Sequence, residues 1–308
     1  MKLFKLTLIL MSISLLSGCN SENDVNYCAD ISPTKISKNA FLFDYFEQDI
    51  VTNRAGRKVA VSCHNCYANN SELNETLTLI HSAKTGSADF IEIDVLYGNE
   101  NINSIAISHD ESSELVDFDA VINSPDLVDA RQILFVEVKG VIISEEQART
   151  LIRQISAPMN AFNQRAYLNP NRMTFIRSFE FDGSLSRFYQ VLEEPEFAEV
   201  RPYILLSRLT YIKSQKTMFA EIEQAAECGL DMVELSAEVK TQRLTSLSEY
   251  AQSLGLLVNV FTFNDDELDT KLSQSLSHVD VVTIEPNRNA ETQTVFESAK
   301  EIIQQSNL

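Results

Sequence analysis

Positive charge is scarce in this chain of 308 residues: 25 lysines and arginines face 44 aspartates and glutamates, for a formal charge of −19. Such a surface repels phosphate backbones, which argues against nucleic acid as a partner. An anionic small molecule would need positive charge supplied inside its own site. Histidine is also rare, with His64, His81, His109 and His278 making up the whole complement of 4. No glycine-rich phosphate loop, internal repeat or low-complexity tract occurs. Beyond the first residues no segment is apolar enough to cross a bilayer. The spacing Cys63-x-x-Cys66 has no second ligand pair for a structural zinc. Nothing after Tyr67 reads as the immediate helix of a thioredoxin-like unit. A disulfide, or two buried thiols beside His64, is the reading that remains.

The N-terminus is built differently. MKLFK is basic, LTLILMSISLL is apolar but short for a membrane span, and small residues precede Cys19. Leu16-Ser17-Gly18-Cys19 resembles a bacterial lipobox. The resemblance implies removal of residues 1–18, lipidation of Cys19, and an exported protein held at a membrane of the cell envelope, on its periplasmic or surface face. Acyl chains confer membrane affinity without a spanning helix. Residues 19–57 are polar and mixed, a tether with room for one short helix. Residues 58–308 form the body. No protein partner is indicated.

Along the body, strand-like and helix-like stretches alternate, the pattern of a parallel sheet with crossover helices. The expected strands are 59–63, 89–95, 133–138, 173–178, 202–206, 231–235, 257–262 and 279–284. Expected helices cover 73–83, 145–155, 218–227, 244–254, 265–276 and 290–305, and 105–108 reads as an extra short strand. Eight units in roughly 250 residues match a (β/α)8 TIM barrel, a single domain behind the signal and tether. An open doubly wound sheet is the rival. Gly229 and Gly255 stand where helix-terminating glycines are expected.

The chemistry gathers at strand ends. His64, Glu92-Ile93-Asp94, His109-Asp110 and Glu137-Val138-Lys139 each close a short apolar run, and strand ends are where barrels place their active sites. Residues two apart on a strand share a face, so Glu92 points with Asp94 and Glu137 with Lys139. Buried carboxylates need a cation or a proton. Glu92, Asp94 and Glu137 would form an all-oxygen site suited to one divalent cation, Mg²⁺ or Ca²⁺. The bland alternative is an internal Glu137–Lys139 ion pair. His81, within a helical pattern, and His278, at a strand's N-terminal end, read as structural or exposed. His64 and His109, beside the carboxylates, suit an acid-base pair for phosphodiester cleavage.

In order along the chain, His64-Asn65-Cys66, Leu73-Asn74-Glu75-Thr76, Ser87-Ala88-Asp89, Glu92-Ile93-Asp94-Val95, His109-Asp110 and Glu137-Val138-Lys139 resemble the motifs of the glycerophosphodiester phosphodiesterase family. Ser178-Phe179, Asn259 to Asn264, and Val279 to Thr283 with Pro286 extend the likeness. The resemblance implies His64 and His109 as catalytic residues and Glu92, Asp94 and Glu137 as metal ligands. It also implies Lys139, Asn65, Phe179 and Phe261 at the substrate. The family's arginine and glycine after the first histidine are here Asn65 and Cys66, and its tryptophan is Phe261. Only 28 positions separate His109 from Glu137, too few for the family's usual covering insertion. In that shortness the chain is similar to the phosphatidylinositol-specific phospholipase C and spider-venom phospholipase D branches of the same superfamily. A wide mouth and a glycerophosphodiester or lysophospholipid-like substrate follow as expectations. A non-catalytic phosphodiester- or lipid-binding lipoprotein on a degenerate barrel is the alternative, and thiol chemistry at Cys63 and Cys66 a third.

Overall fold

The computed structural model describes residues 50–67, 72–97, 105–109, 116–128, 130, 132–139, 143–165, 173–179, 181–272, 278–286 and 292–306. The expected signal, Cys19, Cys28 and most of the expected tether lie outside the described residues. No described helix is long and apolar enough to cross a membrane.

The strands are β1 (Val51–Thr52), β2 (Lys58–Cys63), β3 (Phe90–Tyr97), β4 (Ile105–Ile107), β5 (Val116–Asp117) and β6 (Ile133–Val138). They continue with β7 (Thr174–Ser178), β8 (Ile204–Thr210), β9 (Met232–Ser236), β10 (Leu257–Asn264) and β11 (Val281–Glu285). Eight of them run parallel in the order β2-β3-β6-β7-β8-β9-β10-β11. The ring closes because β11 returns to β2, with Val281 opposite Ala60, and β2 meets β3, with Ser62 opposite Phe90. This is a (β/α)8 barrel, and the closure eliminates the open sheet. Three short strands are additions: β1 lies antiparallel on β2, and β4 and β5 form an antiparallel excursion from the end of β3. Residues 50–57, at the end of the expected tether, thus join the body. Ile50 and Val51 are buried, and Arg57 pairs with Asp280 at 2.8 Å.

Alternation along each strand sorts side chains between two cores. On β2, Val59, Val61 and Cys63 face the helices, while Ala60 belongs to the separate cluster that fills the barrel. That inner plug contains Phe90, Phe135 and Phe175, whose rings meet at 4.7 and 5.2 Å, with Met232, Leu257 and Val281 completing it. Each large apolar side chain so buried contributes about 1.5–3 kcal/mol. Three aspartates pin the strand starts at this end. Asp89, Asp231 and Asp280 accept hydrogen bonds from the backbone N–H groups of Val61, Leu206 and Val258 on neighbouring strands, at 2.7–2.9 Å.

The surrounding helices are α1 (Leu73–Thr85), α2 (Phe118–Ile122), α3 (Pro125–Val128), α4 (Glu145–Arg165), α5 (Ser186–Leu192), α6 (Gln215–Glu227), α7 (Thr241–Ser253) and α8 (Thr292–Gln305). Gly229 and Gly255 follow α6 and α7 with φ of 67° and 83°, the left-handed conformation that lets the chain reverse into the next strand. Several segments depart from expectation, among them the short helices α2 and α3. After β7 a π-helical turn (Phe181–Leu185) leads into α5, which the sequence pattern did not suggest. Of the expected helix 265–276, the described part is a 3-10 turn (Asp265–Glu267) followed by a π-helical turn (Leu268–Leu272), and the rest lies outside the described residues.

Candidate active site

The inward register that builds the plug continues upward along each strand and there turns polar. Two residues beyond Phe90 stands Glu92, then Asp94; beyond Phe135 stands Glu137, then Lys139; beyond Phe175 stands Arg177. Glu92 and Asp94 are wholly buried and Glu137 nearly so. One carboxylate oxygen from each lies within 4.8 Å of the others. Strand pairing brings this about, because Asp94 sits opposite Glu137, and Glu137 opposite Arg177.

Two cations are interlaced with the acids. The Arg177 guanidinium is completely buried, bonding through one nitrogen to Glu92 and to Glu137 Oε2 (2.8 Å), and through the other to Glu234 Oε2 (2.8 Å). Lys139 Nζ bonds to Glu137 and lies 3.0 Å from Asp94 Oδ2, which also accepts from the Tyr67 hydroxyl at 2.8 Å. The expected internal Glu137–Lys139 pair is therefore real, but it is one contact in a larger network. Four buried carboxylates, on Glu92, Asp94, Glu137 and Glu234, face two fixed positive charges, on Arg177 and Lys139.

The imbalance has two consequences. Burial, helped by Asp94 and Glu137 and opposed by Arg177 and His64, pushes Glu92 up to about 7. Burial and the Glu137 charge likewise raise Asp94. Glu137 goes the other way: burial would raise it, but Arg177 and Lys139 together hold it below the ordinary carboxylate range. The second consequence is geometric. Glu92 Oε2 and Asp94 Oδ1 are buried with no hydrogen-bond partner. Buried carboxyl oxygens without a partner take either a proton or a hard divalent cation, so the residues present fit such an ion.

His64 follows β2 at the mouth. Its Nδ1 bonds to Glu285 at the end of β11, and its Nε2 lies 3.8 Å from Glu92 Oε1. Burial alone would lower this imidazole, but the charges of Glu92 and Glu285 outweigh it and raise it above its ordinary value. The chain then turns sharply at Asn65, whose φ of 48° is left-handed, a conformation asparagine tolerates. Cys63 and Cys66 close this turn as a disulfide, at a strand end and not at a helix start. Asn65 spends its amide on the turn, 3.2 Å from His64 Nδ1 and 3.2 Å from the Tyr67 hydroxyl.

His109 arrives by another route. The hairpin from β3 to β4 folds the chain back until Ser108 N–H donates to the Asp94 carbonyl at 3.1 Å, which returns the exposed His109 to the carboxylate level. His64 and His109 line one cleft of about 490 Å³ together with Glu137, Lys139 and Arg177. Its other wall is apolar, formed by Phe179, Leu209, Tyr211 and Phe261. Phe179 and Tyr211 stack with ring centres 3.9 Å apart. Of the substrate contacts expected from sequence, Lys139, Phe179 and Phe261 line this cleft, whereas Asn65 is engaged in the turn. The remaining histidines lie elsewhere: His81 bonds to Asp126 at 2.8 Å on an exposed helix face, and His278 approaches Gln252.

Arg177, Glu234 and Glu285 escaped the sequence reading. The available signal was register: each is a charged residue at an inward-facing position of an otherwise apolar strand, two beyond Phe175, Met232 and Thr283.

No protein-family model and no curated protein matches this chain. Solved structures do match. A protein from Silicibacter pomeroyi DSS-3 assigned as a glycerophosphoryl diester phosphodiesterase superposes with a TM-score of 0.50 at 12% identity, over 84% of this chain and 98% of that one. The ribulose-1,5-bisphosphate carboxylase/oxygenase of Pyrococcus horikoshii OT3 superposes with a TM-score of 0.54 at 7% identity, over 85% of this chain and 61% of that one. At such identities the likeness is one of fold, shared by enzymes of unrelated chemistry.

Proposed function

We propose that this protein is a metal-dependent phosphodiesterase acting on a glycerophosphodiester or lysophospholipid-like substrate. One observation carries it: the unpartnered oxygens of Glu92 and Asp94 lie beside Glu137, beneath a cleft shared by two histidines and Lys139. Glu92, Asp94 and Glu137 would hold one Mg²⁺ or Ca²⁺. When bound, the ion supplies positive charge to the phosphoryl oxygens. Lys139 adds to that charge and meets the phosphate at the cleft wall. His64, kept protonated by its carboxylate neighbours, gives its proton to the leaving oxygen as the P–O bond breaks. His109 takes the proton of the attacking hydroxyl, from water or from the substrate's own neighbouring group, as the new P–O bond forms. In the second case a cyclic phosphate results, and water opens it with the two roles reversed.

The apolar wall of Phe179, Leu209, Tyr211 and Phe261 favours a diester bearing an apolar substituent. Export as a lipoprotein through Cys19 would set the enzyme at an envelope membrane, close to such substrates.

The test is a ³¹P NMR assay on glycerophosphocholine and lysophosphatidylcholine, with and without chelator, using the natural sequence, His64→Ala and His109→Ala. Metal-dependent appearance of a phosphomonoester or cyclic phosphate, reduced by about 10²–10⁴ in either variant, is expected. Turnover unaffected by His109→Ala refutes the assignment. Binding of the diester without turnover points to the non-catalytic lipoprotein instead.

A further inference from the structure

We infer that Arg177, anchored by Glu234, is the positioning residue of the cation site, fixing Glu92 and Glu137 in ligand geometry before any ion arrives. The inference rests on the proposed role of Glu92, Asp94 and Glu137 as ligands. A single guanidinium nitrogen bridges Glu92 Oε1 and Glu137 Oε2, so it sets the separation of two carboxylates that come from different strands. By occupying Oε1 it leaves Glu92 Oε2 unpartnered beside the unpartnered Asp94 Oδ1.

The guanidinium is itself held in place. Its other terminal nitrogen bonds to Glu234 Oε2, and the group lies 5.4 Å above the Phe135 ring of the plug. Glu234 in turn accepts from Ser207 Oγ at 2.7 Å and Asn259 Nδ2 at 2.6 Å, and Asn259 Oδ1 accepts from Thr283 Oγ1 at 3.0 Å. A continuous polar floor thus crosses the barrel from β3 and β6 to β11, with Arg177 at its centre. The planar guanidinium presents its donors from two nitrogens at a fixed spacing and so holds carboxylates on opposite sides of the barrel in one geometry; an ammonium gathers its three donors on a single atom at the end of a flexible stem and fixes no such separation. Partners that orient metal ligands typically set affinity by 10–100-fold.

Calorimetric titration of the chelator-treated, full-length protein with Mg²⁺ and with Ca²⁺ tests this, using dissociation constants as the readout and circular dichroism to establish folding. Arg177→Met is expected to bind about 10–100-fold more weakly than the natural sequence. Arg177→Lys, which keeps the charge but not the fork, should remain weak. Glu234→Gln preserves volume and an acceptor for Arg177 but removes the anchoring charge, and should lose about tenfold; it serves if Arg177→Met does not fold. Variants that bind as tightly as the natural sequence, or more tightly because a competing cation is gone, overturn the positioning role. Failure of the natural sequence to bind either ion is a different result, which removes the proposed cation site and the inference with it.

Discussion

Metal-free protein should become less stable as pH rises from 5 to 8, and Glu92 is the main reason. Its carboxyl midpoint moves from 4.5 to about 7 on folding, because it is wholly buried beside Asp94 and Glu137. A carboxyl raised in this way keeps its proton in the native state where the unfolded chain has already released it. Native stability then falls as pH climbs through the interval between the two midpoints. The shift corresponds to on the order of 3 kcal/mol, or roughly 6–12 °C in Tm for a domain of this size. Asp94 and His64, both raised, act in the same direction. Glu137, which is lowered, contributes stability that is lost only in acid, below this window. Urea unfolding in chelator at pH 5 and pH 8 measures the slope. Glu92→Gln cannot ionise, so it should lose about 3 kcal/mol of the pH dependence and exceed the natural sequence in stability at pH 8. A natural sequence whose stability is flat or rising over this range, or a Gln variant with an unchanged slope, would mean that Glu92 is not protonated in the native state at neutral pH. Saturating divalent cation, at about a hundredfold over Kd, should restore about 2.7 kcal/mol. At one fixed ion concentration the gain should be larger at pH 8 than at pH 5, since the ion binds the ionised carboxylates.

Glu285→Gln removes the charge facing His64 Nδ1 while preserving its shape. We expect kcat to fall about tenfold or more with little change in KM, and the acidic-to-neutral range of activity to move to lower pH, as pH–rate profiles will report. Tyr211→Ala opens one face of the stacked pair on the apolar wall. It should reduce kcat/KM for lysophosphatidylcholine about tenfold relative to glycerophosphocholine, consistent with about 1.4 kcal/mol of lost apolar contact.

The eight barrel strands were legible because each is a short apolar run, and burial on both faces demands little else of a parallel strand. The cluster of acids was legible from spacing by two within those runs, joined to the rule that strand ends carry chemistry. Arg177 was not, because within Thr174-Phe175-Ile176-Arg177-Ser178 a single arginine reads as a strand end reaching solvent. Only the closed ring turns it inward onto Glu92, Glu137 and Glu234. Glu285 is similar, since its partner His64 is 221 positions away and meets it only because β11 pairs with β2. The turns at Phe181–Leu185 and Leu268–Leu272 carry no periodicity that distinguishes a π-helical turn from an ordinary helix or loop.

The proposed convergence of Glu92, Asp94 and Glu137 on one divalent cation beneath the two histidines is open to direct observation. Anomalous diffraction from crystals soaked in Mn²⁺ addresses it directly. We expect a single strong peak within coordination distance of Glu92 Oε2 and Asp94 Oδ1 that disappears in Asp94→Asn crystals. A cage without a peak, or a peak at another cluster of acids, would contradict it.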